Sequence, residues 1–415
     1  MQHKEVDCTT IGAASSAGIS GRVTAEKSNF GSPIGKKGTL GRSVCYGVLT
    51  GAVALLFLQQ AMADDHRAFL PGGFIDVSTV ASNGDQNPYG VAFVPHGFPA
   101  GGPLSPGDIL VSNFNDAGAL PTGNIQGTGT TITRVAPDGE TSTFFIETFI
   151  ASKQGGLTTA LGVLKRGFVV VGQVPNTDGT ATGGPTAGSL LFLDKSAKVV
   201  LTYANASLDG PWDLAIDDDF DHAKIFVSSV LNGTVVRLDV SVGSSGVTVN
   251  SITAIANGYS FSPPPATPVF ALGPTGLAYD EESDVLYVAS AQDNEIFKIL
   301  QAGARTSPVS KGILVYEDAT HLRGPLGLAL APNGNLLTAN GDAVNSPPAT
   351  PPPLPSEIVE FTKEGKFISQ LSVDPVAGAA FGVAVARPIG DSARFAAVND
   401  DDNTIIVLRL NTEGF

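Results

Sequence analysis

Cysteine is nearly absent from this chain: 415 residues hold two, Cys8 and Cys45. Both precede Ala63, so a chain cut there carries no thiol, which excludes a disulfide framework, a cysteine nucleophile and a thiolate metal site. Charge is sparse, at 15% of residues, and lopsided: 39 acidic side chains against 24 basic ones give a formal net charge of −15. Such a surface repels phosphate backbones and anionic lipid, and so excludes a nucleic-acid partner. There are five histidines, His3, His66, His96, His222 and His321, and none has the H-E-x-x-H spacing of a zinc site. No G-x-S-x-G elbow, P-loop or dinucleotide fingerprint occurs. What is abundant is glycine (49) and proline (28), a composition of short strands and many turns rather than helices.

The first 63 residues read as a leader. Lys36, Lys37 and Arg42 are followed by an uncharged, mostly apolar run from Val44 to Leu58, then by Ala61-Met-Ala63. That is the layout of a secretory signal peptide. The apolar run is shorter than the ~20 residues of a membrane span. The expectation is cleavage near Ala63, a secreted or periplasmic protein of residues 64–415 with no membrane span of its own, and a monomer.

A short phrase recurs along the rest: Asn87-Pro-Tyr-Gly-Val-Ala-Phe, Gly210-Pro-Trp-Asp-Leu-Ala-Ile, Gly273-Pro-Thr-Gly-Leu-Ala-Tyr and Gly324-Pro-Leu-Gly-Leu-Ala-Leu. Altered copies stand at Thr158-Thr-Ala-Leu-Gly-Val-Leu and Ala380-Phe-Gly-Val-Ala-Val. Each copy opens a unit of four short apolar runs separated by polar turns. In the clearest, Leu277-Ala-Tyr-Asp, Val285-Leu-Tyr-Val-Ala, Glu295-Ile-Phe-Lys-Ile and Gly312-Ile-Leu-Val-Tyr follow one another. Four antiparallel strands in some 50 residues make one propeller blade. Six units predict an all-β, six-bladed β-propeller. The last unit ends after three strands, and Phe74–Val80 alternates as a strand ahead of the first, so this N-terminal strand is expected to complete blade six.

The phrase Gly/Asn-Pro-x-Gly-hydrophobic-Ala, with Tyr287-Val-Ala-Ser-Ala-Gln-Asp-Asn-Glu-Ile296 after it, resembles NHL-repeat propellers and is similar to the senescence-marker/gluconolactonase and streptogramin-lyase groups. The resemblance covers nearly all of the chain beyond the leader. It implies the fold, and a channel top as the working end. In the gluconolactonase group it implies a metal held by Glu, Asn and Asp; the position of the first acidic ligand is Asn87 here. The lyase group implies a top-face histidine, for which His321 is the candidate by position.

Blade geometry sorts the loops. Strand-one starts and the loops from strand two to three lie on one face, the top. The long connections Asn113–Thr130, Gln173–Gly188 and Asn340–Pro355, and the proline-rich Ser262–Pro268, all fall there. Insertions that share a face mark a binding face. The residue after the repeat proline, Tyr89, Trp212 or Phe381, is expected to line the channel mouth, with Asn113, Asn340 and His321 nearby. Asp213 stands where four of the copies carry glycine, and breaking a local rule marks a candidate site. Asn399 and Asp400, with Asp213, are oxygen donors of the kind that hold Ca²⁺ or another divalent ion. The expected function is a binding module for a small molecule, glycan or peptide through the top face. The alternative is a metal-dependent, lactonase-like hydrolase or a lyase at the channel mouth.

Overall fold

The computed structural model describes residues 75–117, 125–147, 156–177, 183–262, 272–341, 356–375, 378–389 and 392–411. The leader lies outside them. Every regular element among these residues is a β-strand, and the six blades are those of the sequence reading.

Blade one is β2 (Gln86–Phe93), β3 (Ile109–Asn115), β4 (Thr131–Val135) and β5 (Thr141–Ile146). Blade two is β6 (Leu157–Leu164), β7 (Phe168–Gln173), β8 (Ser189–Asp194) and β9 (Val199–Tyr203). Blade three is β10 (Pro211–Asp218), β11 (His222–Ser229), β12 (Thr234–Val242) and β13 (Val247–Asn257). Blade four is β14 (Pro274–Asp280), β15 (Val285–Ser290), β16 (Glu295–Leu300) and β18 (Ile313–Tyr316); the short β17 (Val309–Ser310) leaves it to pair in parallel with the end of β13. Blade five is β19 (Pro325–Leu330), β20 (Leu336–Asn340), β21 (Ser356–Phe361) and β22 (Phe367–Asp374). Blade six is β23 (Ala380–Ile389), β24 (Ser392–Asn399) and β25 (Thr404–Asn411), with β1 (Ile75–Ser78) antiparallel to β25, Ile75 opposite Val407 and Ser78 opposite Thr404. The first strands of the blades touch in the cycle β2–β6–β10–β14–β19–β23–β2 and so ring the axis.

Both faces of each blade are buried, which is why the middle strands read as continuous apolar runs rather than as alternations. On β15 the period of two is intact but divides between two interfaces. Leu286 and Val288 pack against blade three, and Val285, Tyr287 and Ala289 against blade five. Each of the six junctions between blades has its own apolar cluster. The turns use the residues their backbone demands: Asp284 and Asn294 sit at φ 51° and 58°, conformations that Asn and Asp tolerate.

The repeated phrase is not a lead-in to the first strand, as its Gly-Pro suggests, but part of it. All six innermost strands break register there, between Pro88 and Val91, Leu157 and Leu161, Pro211 and Leu214, Pro274 and Leu277, Pro325 and Leu328, and Ala380 and Val383. The phrase encodes a β-bulge, which twists the strand end and redirects its side chains. Blade two carries one more residue in its bulge than the others, which accounts for its divergent copy.

The bulges are tied into a belt. Ser112 Oγ accepts from Gly90 N–H (2.9 Å) and donates to Thr158 O of the next blade (2.7 Å). Ser228 Oγ does the same with Asp213 N–H (3.0 Å) and Thr275 O (2.7 Å). Thr158 and Thr275 donate onward to Pro211 O (2.9 Å) and Pro325 O (2.7 Å). Where no hydroxyl serves, glycine permits backbone contact: a Cβ on Gly276 would lie 2.4 Å from Leu326 O, and one on Gly382 1.9 Å from Tyr89 O.

Candidate functional site

The bulges aim the residue after the repeat proline at the axis. At the top of the channel these residues meet one another instead of lining a mouth. Tyr89 stacks on Phe114 (centroids 4.3 Å apart) and on Phe381 (4.4 Å), and Trp212 meets Tyr89 and Phe114 edge-on at 5.8 and 5.9 Å. Val174, Val230 and Leu231 close this cluster, and Leu326 joins it through Phe381. Tyr89 and Trp212 are each 3% exposed. The expectation of an open top mouth lined by Tyr89, Trp212 and Phe381 is therefore corrected. Three aromatic rings and a leucine on a six-strand ring fill the axis, and burying them releases more free energy than leaving them wet. The plug leaves one polar atom without a partner among the described residues, the indole N–H of Trp212.

Beneath the plug lies a cavity of about 1160 Å³. It runs from Asp213 past Ile216, Tyr279 and Val385 to the turns that end the innermost strands, where Glu281, Glu282 and Asn333 stand. The channel is thus blind at the top and open at the bottom. Each innermost strand is the last in its sheet, so the wall presents unpaired backbone donors and acceptors between the side chains. At the mouth Lys363 Nζ lies 2.6 Å from Asp280 Oδ2. Burial alone would raise the Asp280 carboxyl, but the Lys363 ammonium and a hydroxyl donor hold it below its ordinary value.

Asp213 lies at the blind end. In four of the other blades the glycine at this position, Gly90, Gly276, Gly327 or Gly382, lets the next strand press in; here the carboxylate occupies the gap. Its Oδ1 accepts from Leu214 N–H (2.8 Å) and its Oδ2 from Leu277 N–H of blade four (3.1 Å). Burial pushes its carboxyl well above the usual carboxylate range, although these two donors pull the other way. The side chain is only half-buried, because its open side faces the narrow lumen.

The other expected residues do not converge on this cavity. Asn113 is fully buried and spends its amide on Thr79 O, Thr131 Oγ1 and Thr133 Oγ1 (3.1 to 3.2 Å). Asn340 clamps the link into blade five, accepting from Arg323 N–H (2.9 Å) and donating to His321 O (2.6 Å). His321 stacks on Phe367 at 3.8 Å, with Nδ1 2.6 Å from Asp318 Oδ2. Asp318 also accepts from Tyr316 Oη (2.7 Å). Burial would raise Asp318, but these donors bring it down to about 2.

Three carboxylates, Asp374 at the end of blade five and Asp401 and Asp402 in blade six, bring oxygens within 4.8 Å of one another, and Asp213 is not among them. Ca²⁺ takes six to eight oxygens, so the set fits such an ion only in part. Asn399 does not add to it: its Nδ2 donates to Asp374 Oδ2 (2.9 Å), and its Oδ1 accepts from the backbone of Asp401 and Asp402. Asp400 N–H donates to Ala379 O.

Two features escaped the sequence reading. Phe114, the end of an apolar strand, is a plug residue. Glu147 is 6% exposed and has its carboxyl pushed up to about 8 by burial. Its partner is the Gln173 amide, 2.9 and 3.1 Å from its two oxygens in the orientation that also accepts from Ser189. No local pattern announces a carboxyl buried by two neighbouring blades.

No family model and no curated protein matches the sequence. Among solved structures the chain is similar to a Thermus thermophilus oxidoreductase described as a glucose dehydrogenase, with 14% identity over 81% of this chain and 100% of that one and a TM-score of 0.43. It is similar to a luciferin-regenerating enzyme, with 11% identity over 82% and 96% and a TM-score of 0.47. A calcium-binding regucalcin from Agrobacterium tumefaciens gives 11% identity over 82% and 95%, with a TM-score of 0.47. The blade assignment rests on this chain's own strand pairings, not on these likenesses.

Proposed function

We propose that this protein is an exported binding module that takes a small, neutral, hydrogen-bonding molecule into the channel from the bottom face. The observation that carries the reading is Asp213: a half-open carboxyl at the blind end of a cavity of about 1160 Å³, next to the single tryptophan. A pocket of that size with few convergent polar groups is what small-molecule sites have in common. Burial raises the Asp213 carboxyl well above its ordinary range, and in its protonated form a carboxyl offers a donor as well as an acceptor. The strand edges add backbone donors and acceptors, and the acidic mouth disfavours anions. The proposal shifts the binding end from the loop-rich top face to the bottom, because the aromatic plug closes the axis above Asp213.

Metal-dependent hydrolysis or elimination is supported less well. The three-carboxylate set lies outside the cavity lining, and Asp213 spends both oxygens on backbone N–H groups. No step of this proposal runs through a metal.

The test is a panel of neutral polyols and small amides, with matched carboxylates, read by thermal shift and by Trp212 emission. A ligand of the native state raises the melting temperature. The proposal expects a neutral compound to do so, to move the emission, and to lose at least tenfold in affinity in Asp213→Ala. It fails if no neutral compound stabilises the protein, or if Asp213→Ala binds as well as the parent.

A further inference from the structure

The innermost strands of blades three and four stand edge-on to the channel. On β10, Leu214 and Ile216 pack toward blade two and Ala215 toward blade four. On β14, Leu277 and Tyr279 pack toward blade three and Ala278 toward blade five. Both faces of each strand are spent on the junctions, and what is left for the lumen is the backbone edge. The cavity lining has the same form. It takes consecutive residues, 213–216 of β10 and 277–280 of β14, where a wall of side chains alone would take every second one. Below its bulge β14 keeps an unbroken register, from Leu277 opposite Val288 to Asp280 opposite Val285. No strand pairs with its inner edge among the described residues.

Asp213 already serves the top of this edge, where Leu277 N–H donates to its Oδ2 (3.1 Å). Along an antiparallel strand the groups that point to one side recur at every second residue. The next inward N–H and C=O therefore belong to Tyr279, which lines the cavity. The side chains between Asp213 and the mouth are aliphatic apart from Tyr279, whose hydroxyl is turned away to donate to Asp284 Oδ1 (3.0 Å). The polar character of the wall at this depth is thus that of the strand edge. An open edge is a template for another strand. A folded sheet cannot enter a cavity of about 1160 Å³, but a single extended chain can.

We infer that the ligand of the channel is a short, uncharged, extended peptide segment, which adds as a strand to the inner edge of β14 and exchanges N–H and C=O bonds with Tyr279. The inference rests on the channel reading proposed above and names its ligand class. Strand addition draws affinity from main-chain hydrogen bonds. Residues repeat at ~3.3 Å along an extended chain, so three of them span about 10 Å of the lumen. A sugar ring is held best against an aromatic face, and Tyr279 is the one aromatic side chain on the lining. Asp213 at the blind end and Glu281 and Glu282 at the mouth place acidic groups at both ends, which disfavours a free C-terminal carboxylate.

Calorimetric titration of the purified protein with N-acetylated alanine amides of one to four residues tests this, with sorbitol as a neutral compound that is not a peptide. Affinity is expected to rise at least tenfold from one residue to three. Methyl groups placed singly on the nitrogens of the trialanine amide cost at least tenfold at alternate positions and little between them, because every second N–H meets the edge. Asp213→Ala weakens the trialanine amide at least tenfold. The inference is overturned by affinity that does not grow with length, by methylation that acts alike at every nitrogen, or by unchanged binding in Asp213→Ala. Binding of sorbitol but not of the alanine amides sinks the peptide and leaves the channel reading standing; binding of neither removes both.

Discussion

Asp213 combines two roles that are separate elsewhere in the ring. Its carboxylate joins blade three to Leu277 of blade four, and its open side is the one acidic group at the blind end of the cavity. Glu147 is a simpler case, buried with Gln173 and carrying a carboxyl raised from 4.5 to about 8. Between those values the folded chain holds a proton that the unfolded chain has released. The stability this group contributes is complete below pH 4.5 and is lost as pH rises toward 8. Urea unfolding at pH 5, 6.5 and 8 should show Glu147→Gln losing less stability over that range than the parent, by about 2 to 4 kcal/mol. Parallel curves would mean that Glu147 is ionised in the fold. In the plug, Phe114→Ala removes a fully buried ring and is expected to cost about 3 to 5 kcal/mol. A loss under 1 kcal/mol by the same method would show that the rings are loosely packed.

The bulge is the element on which the architecture turns. Its phrase could be counted in the sequence, because Pro-x-Gly repeats at blade spacing, and the six blades followed from that count. Its consequence could not be read the same way. A bulge adds a residue to one strand and so inverts the direction of the side chain within it, and nothing in the letters Tyr89, Trp212 and Phe381 separates a ring that lines an opening from one that closes it. Position 213 was legible as an exception to glycine; its two backbone partners were not, since one belongs to the next blade, 64 residues away. The same geometry predicts unequal costs at equivalent sites. Gly276→Ala drives a Cβ to 2.4 Å from Leu326 O, and is expected to destabilise by more than about 3 kcal/mol, at the severe end of single substitutions. Asp213→Gly restores the common phrase and forfeits one hydrogen bond between blades, at about 1 to 2 kcal/mol. Thermal denaturation of the pair should rank them in that order.

The whole ring buries its stabilising surface in six similar junctions between blades, and its ends are finished differently. The top carries the aromatic plug and the long connections; the bottom carries the opening, with acidic turns in blades three and four. Which end admits a molecule therefore decides how the ring works. With Cys8 and Cys45 replaced by serine the chain has no thiol, so a single engineered cysteine reports its own access. Ala384→Cys lies on the cavity wall and Leu326→Cys within the plug. Rates of reaction with a small neutral thiol reagent on the folded protein decide the matter. A cysteine at position 384 that reacts at least tenfold faster than one at 326, and that is protected by the bulky side chain of Asn333→Trp at the mouth, is the predicted result. Faster reaction at 326, or no protection from the mouth, would contradict a channel that opens at the bottom.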